Sequence, residues 1–157
     1  MIKHRGFSII EVLVVIAILG IISYFGFTTY QHWRYYQQLV TSKENLASVL
    51  YRAQQLATAA AGGKDWGVHL EENSYTLFAS STYDSLDPTN KIWYLDKVAV
   101  FRPTSTFAKD LSLRGADVIF GKFTGETNNT GTITLFFIPD NNQIQEIKIE
   151  ASGLIDL

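Results

Sequence analysis

Hydrophobic residues fill the chain from Phe7 to Phe27 almost without interruption. Polar side chains enter this stretch only at Ser8, Glu11, Ser23 and Tyr24. About 21 residues in helical geometry rise about 31 Å, the thickness of a bilayer's hydrocarbon core, whereas a strand of this length would be exceptional. The pattern therefore predicts an apolar helix of membrane-spanning length that carries one carboxylate near its start.

Downstream of this stretch, apolar residues recur at intervals of three, four or seven positions. This spacing places them on one face of a helix whose remaining surface is largely polar. The residues of this face are Leu39, Leu46, Leu50, Ala53, Ala57 and Ala60. We expect the helix to end at Gly62-Gly63. Because the stripe is short and rich in alanine, packing on a sheet is favoured over a coiled coil.

From Gly63 onward the hydrophobic pattern has a period of two, which is typical of half-buried strands. Seven segments show it: WGVHLE, SYTLFAS, KIWYL, KVAVF, DVIFGKF, GTITLFFI and QIQEIKIE. We interpret SSTYDSLDPTN as a loop, IPDNNQ as a turn between the last two long strands, and ASGLIDL as a short final edge.

These patterns predict an α+β fold, in which a long N-terminal helix packs on an antiparallel all-β C-terminal domain. The predicted segments are a basic leader at 1–6, a transmembrane helix half at 7–29, an amphipathic helix half at 30–61 and the β domain at 62–157. Aromatic residues gather where the two helix halves meet, as at a membrane–water interface. They are Tyr24, Tyr30, Trp33, Tyr35 and Tyr36.

Glu11 helps to separate the possible roles of the apolar helix, because a carboxylate at mid-bilayer costs about 2.5–3.5 kcal/mol. A secretory signal peptide would account for Lys3, His4 and Arg5, but its apolar core should be shorter and end at a small-residue cleavage site, which IISYFGFTTY lacks. An ordinary single-pass anchor accounts for the length and for a positive segment inside the cell. That interpretation leaves Glu11 unexplained.

The stretch RGFSIIEVLVVIAILGIIS resembles the N-terminal signature of type IV prepilins and type II secretion pseudopilins. In that family a short basic leader ends in Gly, Phe follows, and Glu is the fifth residue of the mature chain, within an apolar helix. The matching positions are Gly6, Phe7 and Glu11, preceded by Lys3 and Arg5. The resemblance covers about the first 30 residues.

The resemblance implies that a prepilin peptidase cleaves between Gly6 and Phe7 and that the new amine of Phe7 is methylated. Glu11 of an incoming subunit would then pair with the Phe7 amine of a neighbour in a helical filament. The other implied partners are further pilins or pseudopilins and an inner-membrane assembly platform. The subunit would first span the inner membrane once, with its C-terminal domain outside the cytoplasm, and then enter a pilus or pseudopilus.

Two further features suggest a minor subunit. Many major pilins have a helix-curving proline near mature position 22, where this chain has Thr28, and the absence of that proline suggests a straighter helix or a minor subunit. The order of elements also resembles the minor pilin group typified by GspH and FimT, in which a long helix precedes a disulfide-free β domain. That group ends in a strand pair like IKIEASGLI, from Ile147 to Ile155.

Charge and composition argue against nucleic acid as a partner. The chain has 13 basic and 15 acidic residues, and loss of Lys3 and Arg5 with the leader would leave 11 against 15, or −4. Nucleic-acid binders usually present a basic face. The candidate basic residues here are interleaved with acidic ones: Lys109, Arg114 and Lys122 with Asp110, Asp117 and Glu126.

The sequence offers no catalytic motif, and we predict no catalytic residue, metal site or cofactor. There is no cysteine, and His4, His32 and His69 are far apart, so we expect solvated or interfacial histidines. Glu71 and Glu72 are adjacent and should face opposite sides of a strand. A run of calcium-ligand types is better explained as a hairpin turn: Asp140, Asn141 and Asn142.

The sequence therefore favours a structural subunit of a type IV pilus or a type II secretion pseudopilus. The alternative is a single-pass, membrane-anchored β domain that acts alone as a receptor or adhesin, including a DNA-uptake pilin.

Overall fold

A computed structural model describes residues 8–95, 99–102, 116–137 and 140–157. The described elements are the helix α1 (Ile9–Thr58), a 3-10 turn (Ala61–Gly63) and the strands β1 (Trp66–Leu70), β2 (Ser74–Phe78), β3 (Lys91–Tyr94), β4 (Ala99–Arg102), β5 (Ala116–Phe120), β6 (Gly131–Phe137), β7 (Asp140–Ile149) and β8 (Ile155–Asp156). The chain divides into two compact units, Met1–Tyr35 and Tyr36–Leu157.

The strands of the second unit form two antiparallel sheets. The first sheet has the order β3-β2-β1-β5 and the second has the order β4-β6-β7-β8. In the first sheet Val68 lies between Leu77 and Val118, and in the second Ile133 lies opposite Ile147. This arrangement confirms the α+β fold with an antiparallel β domain.

The C-terminal part of α1 supplies one wall of the core. Five of the six residues predicted to form its apolar face are buried: Leu39, Leu46, Leu50, Ala53 and Ala57. The sixth, Ala60, lies beyond the end of the helix and is half-buried. Packing of the amphipathic face, rather than intrinsic helix propensity, is the usual source of stability for such a helix.

α1 ends earlier than predicted, at Thr58 rather than at the glycine pair. Ala60 adopts a left-handed conformation with φ of 47°, and Gly62 and Gly63 follow with φ of 68° and 69°. Glycine adopts such angles at little cost, so the glycine pair forms the chain reversal that follows α1 and is not part of the last turn of the helix. The indole Nε1 of Trp66 donates to the carbonyl of Ala61 at 2.9 Å and fixes this reversal to the start of β1.

Two strand boundaries differ from the prediction by three residues. The predicted strand DVIFGKF ends at Phe120, because the chain turns at Gly121 and the amide of Gly125 donates to the Gly121 carbonyl at 2.9 Å. The predicted turn IPDNNQ is also wrong in part, because β7 already begins at Asp140, which pairs with Phe137 across a register shift.

The hydrophobic core lies between α1 and one face of each sheet. Residues directly opposite in an antiparallel pair share a face, so the register defines which side chains point inward. From the first sheet the buried side chains on this face are Val68, Leu70, Tyr75, Leu77, Ala116, Val118 and Phe120. From the second sheet they are Ile133, Leu135, Ile147, Ile149 and Ile155.

Polar side chains of α1 fasten the C-terminal strand pair to the helix. The Tyr51 hydroxyl donates to the carbonyl of Ile155 at 2.9 Å, and Gln54 Nε2 donates to the carbonyl of Gly153 at 2.9 Å. Gly153 has φ of 81°, and a Cβ built there would collide with the carbonyl oxygen of Gly125. The glycine between β7 and β8 therefore serves both a left-handed turn and a close approach of two backbones.

We expect Gly153→Ala to destabilise the domain more than Gly62→Ala does. Both positions have positive φ, but nothing lies within 4 Å of a Cβ built on Gly62. Gly62→Ala should cost about 1 kcal/mol for the strained backbone, and Gly153→Ala about 1–3 kcal/mol more for the collision. The measurement is urea unfolding of the full chain in detergent, followed by tryptophan fluorescence. Equal losses in the free energy of unfolding for the two variants would show that the close approach of Gly153 to Gly125 does not add to the cost of the substitution.

Candidate functional site

The N-terminal part of α1 exposes a continuous apolar surface. Large side chains are solvent-accessible from Ile9, which is 81% exposed, to Phe27, which is 65% exposed. α1 is long and apolar enough to cross a membrane, and none of its most apolar 18-residue window is buried. A helix that is hydrophobic on all sides is normally covered by lipid or by other helices.

Glu11 lies in the first turn of this exposed helix. The carbonyl of Ser8 accepts hydrogen bonds from the amides of Glu11 at 3.0 Å and Val12 at 3.2 Å, so α1 begins directly after Ser8. The Glu11 side chain is exposed. An anion in the first turn of a helix is favoured by the helix dipole and by the unpaired amides there.

Ser8 and Glu11 also have the spacing of a capping box, which the sequence analysis missed. In that motif a Ser or Thr precedes the helix and a Glu or Gln is its third residue, as Glu11 is here. The signal was present in the sequence as S-x-x-E ahead of an apolar run. Glu11 therefore occupies the position from which a capping-box residue supports its own helix.

The remaining predicted residues of this site lie outside the described residues. They are Lys3, Arg5, Gly6 and Phe7, for which the predicted cleavage, methylation and charge roles stay predictions. Further along α1, the predicted interfacial aromatics Tyr24, Tyr30, Trp33 and Tyr36 are exposed, and Tyr35 is half-buried.

The comparisons with known proteins concern this same segment. Residues 1–23 match the family model described as the prokaryotic N-terminal methylation motif. No curated protein and no solved structure matches the chain. The match covers the predicted leader and the start of α1, and it leaves the β domain unassigned.

Fold and motif together define a class of protein. The chain carries a type IV prepilin-like methylation motif on a 50-residue helix, followed by antiparallel β-sheets in a pilin-like α+β fold. The motif implies processing by a prepilin peptidase, membrane anchoring and assembly of the pilus or pseudopilus type. Proteins of this class are typically structural rather than enzymatic.

Outside this segment, His69 departs from its predicted environment. It was expected to be solvated or interfacial, but it is only 4% exposed. Its Nδ1 lies 2.6 Å from Asp117 Oδ1, and its ring stacks on Tyr83 at 3.7 Å between centroids. Pairing of β1 with β5 places His69 opposite Asp117, a contact between residues 48 apart that no local pattern could reveal.

Two carboxylates lie near the His69 ring: Asp117 at Nδ1, and Glu71, whose Oε1 is 3.6 Å from Nε2. Glu71 was expected to share a strand with Glu72, but β1 ends at Leu70 and both carboxylates are exposed beyond it. The Ser74 hydroxyl donates to Glu71 Oε2 at 2.8 Å and so is not directed at the imidazole. The cluster joins β1, β5 and the loop that carries Tyr83, which is a structural role.

The predicted basic patch is only partly described. Lys109, Asp110 and Arg114 lie outside the described residues. Lys122 is exposed beside the ring of Phe123, whereas Asp117 is engaged by His69.

We expect Asp117→Ala to destabilise the domain, because it removes the acceptor of a buried imidazole N–H. The loss in the free energy of unfolding should be about 1–3 kcal/mol, toward the lower end because 33% of the Asp117 side chain is exposed. Asp117→Asn keeps an acceptor and should recover part of the loss. The measurement is urea unfolding of the full chain in detergent.

The matched control is Glu72→Ala, which truncates an exposed carboxylate and should change stability by less than about 0.5 kcal/mol. If Asp117→Ala lowered the free energy of unfolding no more than this control does, the contact between His69 and Asp117 would not stabilise the domain.

Proposed function

We propose that this chain is a minor pilin or pseudopilin of the GspH/FimT type, cleaved between Gly6 and Phe7, methylated at Phe7 and assembled through α1. The observation that carries the proposal is the unburied apolar start of α1 with Glu11 in its first turn, inside a methylation motif. Loss of the leader would remove Lys3 and Arg5 from the mature N-terminus.

The role proposed for Glu11 follows from electrostatics in an apolar environment. Cleavage would create an amine at Phe7, four residues before Glu11. Between packed apolar helices a carboxylate and an amine attract strongly, and a carboxylate left without a partner there is heavily penalised. Glu11 of an incoming subunit would therefore favour a position next to the Phe7 amine of an assembled one. A subunit left alone in lipid would be disfavoured, because its Glu11 carboxylate would have no such partner.

The remaining parts of the proposal concern location and partners. The subunit would span the inner membrane once, with the β domain outside the cytoplasm, before it enters the filament. Its partners would be a prepilin peptidase, an inner-membrane assembly platform and other pilins or pseudopilins. Thr28 at the position of the helix-curving proline supports a minor rather than a major subunit. We propose no catalytic activity.

The processing step is tested by peptide mass spectrometry on filaments sheared from the native host. We expect a peptide that begins at methylated Phe7, because only the processed chain would be assembled. Its abundance relative to other pilins measures whether the subunit is minor. An intact Met1 chain found only in membranes would favour a lone anchored domain and contradict the proposal.

The role of Glu11 is tested by two substitutions that separate its charge from its capping function. Glu11→Gln keeps the capping-box residue type but removes the charge, and Glu11→Val removes both. Loss of one partner from a buried ion pair costs about 3–5 kcal/mol. Since a tenfold change corresponds to about 1.4 kcal/mol, incorporation into filaments should fall more than 100-fold for both variants. Quantitative immunoblots of sheared filaments measure incorporation.

Membrane insertion should be unchanged in both variants, as measured by fractionation. Glu44→Gln is the matched control, since Glu44 is an exposed carboxylate later in the same helix. If Glu11→Gln assembles normally and Glu11→Val does not, Glu11 acts as a helix cap and the pairing mechanism is wrong.

A further inference from the structure

A polar groove lies beside the C-terminal end of α1 in the second unit. It consists of two adjoining cavities of about 300 and about 370 Å³, which share Asp65 and Ser81 in their walls. Both cavities are open to solvent. The groove has no part in the proposed assembly segment, so its chemistry calls for a separate explanation.

The floor of the groove is fixed by the loop between β5 and β6. The amide of Lys122 donates to Asp65 Oδ1 at 2.8 Å, and the amide of Thr127 donates to the carbonyl of Ala151 at 3.0 Å. Gln54 of α1 holds the same loop through the carbonyl of Gly125 at 3.4 Å. A site fixed in this way needs little ordering when a ligand binds.

Several side chains in the groove have unused hydrogen-bonding capacity. Among the described residues, Ser81, Glu126 and Asn128 line the groove without a side-chain hydrogen bond or ion pair to the protein. Together they offer a hydroxyl, a carboxylate and an amide, and so both donors and acceptors. This mixture matches a ligand that carries many hydroxyl groups, each of which donates and accepts.

The charge of the groove argues for a neutral ligand. Its ionisable side chains are Asp65, Asp87, Glu126, Lys64 and Lys122, which sum to −1. Hydrogen bonds from the Thr89 hydroxyl and amide lower the pKa of Asp87 below its ordinary value, so this carboxylate is ionised near neutral pH. Phosphate or nucleic acid would require an excess of cations, which the groove does not have.

Phe123 adds an apolar surface beside these polar groups. Phe123 lines neither cavity itself, but its ring centroid is 5.8 Å from the Nζ of Lys122, which lines the first cavity. Its side chain is 69% exposed and its φ is 69°, a conformation that costs a bulky residue about 1–3 kcal/mol. Its amide donates to the carbonyl of Ala57 at 3.0 Å, which holds the residue in place. Such outliers cluster at ligand sites.

We propose that this groove binds a neutral saccharide, with Glu126 and Asn128 hydrogen-bonded to sugar hydroxyls and Phe123 packed on the apolar face of a sugar ring. An exposed aromatic ring beside carboxylate and amide groups matches the two kinds of surface that a sugar ring presents. The proposal goes beyond assembly and does not depend on it, because the groove is complete within one copy of the chain.

The test is binding of the full chain, in a detergent without a sugar headgroup, to immobilised oligosaccharides. The neutral probes end in glucose, galactose, mannose or N-acetylglucosamine, and the charged probes are sulfated and sialylated oligosaccharides and single-stranded DNA. We expect at least one neutral probe to bind and the charged ones to bind more weakly. Binding to none of the neutral probes, or to charged probes alone, would overturn the proposal.

The residues are tested on whichever neutral probe binds most tightly. Asn128→Ala and Glu126→Ala should each weaken binding at least tenfold. Phe123→Gly should do the same while leaving the domain at least as stable, because glycine accepts the left-handed conformation without strain. Tyr94→Ser is the matched control, since Tyr94 is an exposed aromatic residue of β3 that lines neither cavity. Unchanged affinity in all three groove variants would place the saccharide elsewhere and refute the assignment.

Subunits deficient in assembly give the same binding measurement, because it is made on the isolated chain. A negative saccharide result therefore leaves the proposed assembly function untouched, and a failure of Glu11 variants to behave as expected leaves the groove untouched.

Discussion

Burial of one face of α1 against the two sheets is the contact on which the rest of the molecule depends. The chain has no cysteine, so no disulfide can hold the β domain together. Leu46, Leu50 and Ala53 of the helix are fully buried, as are Val68 and Leu135 of the two sheets. The buried apolar residues described in this core all lie beyond Tyr35, and the large apolar side chains described at the start of α1 are exposed. That surface is left for lipid or for other subunits.

Much of the fold could be predicted because its signals are local. The three-and-four spacing identified the buried face of α1, and alternation identified seven of the eight described strands, while β8 was expected as a short final edge. The errors fall at boundaries, where long-range pairing decides. Asp140 is a residue type that is common in turns, yet its pairing with Phe137 places it in β7. Gly121 follows the end of β5, although the alternating pattern continues past it. A single sequence does not show which partner strand is present at such points.

The N-terminal segment of α1 and the groove also differ in whether their residues are neighbours in the sequence. The proposed assembly segment is contiguous, so Gly6, Phe7 and Glu11 could be predicted as its key residues from their order alone. The groove draws on separate stretches that the register of β1 with β5 and the return of the chain near Ala151 bring together. The contact between His69 and Asp117 likewise depends on this register. Neither feature has a spacing that sequence reasoning could use.

This contrast has a physical consequence for a filament subunit. An assembly signal contained in one exposed helix needs no particular β domain, provided that the domain folds on its own core. The domain is then free to carry groups that do not serve its own stability. Phe123 in a left-handed conformation is one such group, and the carboxylate of Glu126, which pairs with no other described side chain, is another. Ala57 and Gln54 of α1 hydrogen-bond to the loop that carries Phe123 and Glu126. These contacts offset the cost of the left-handed conformation, so the helix that carries the proposed assembly segment also holds this loop in place.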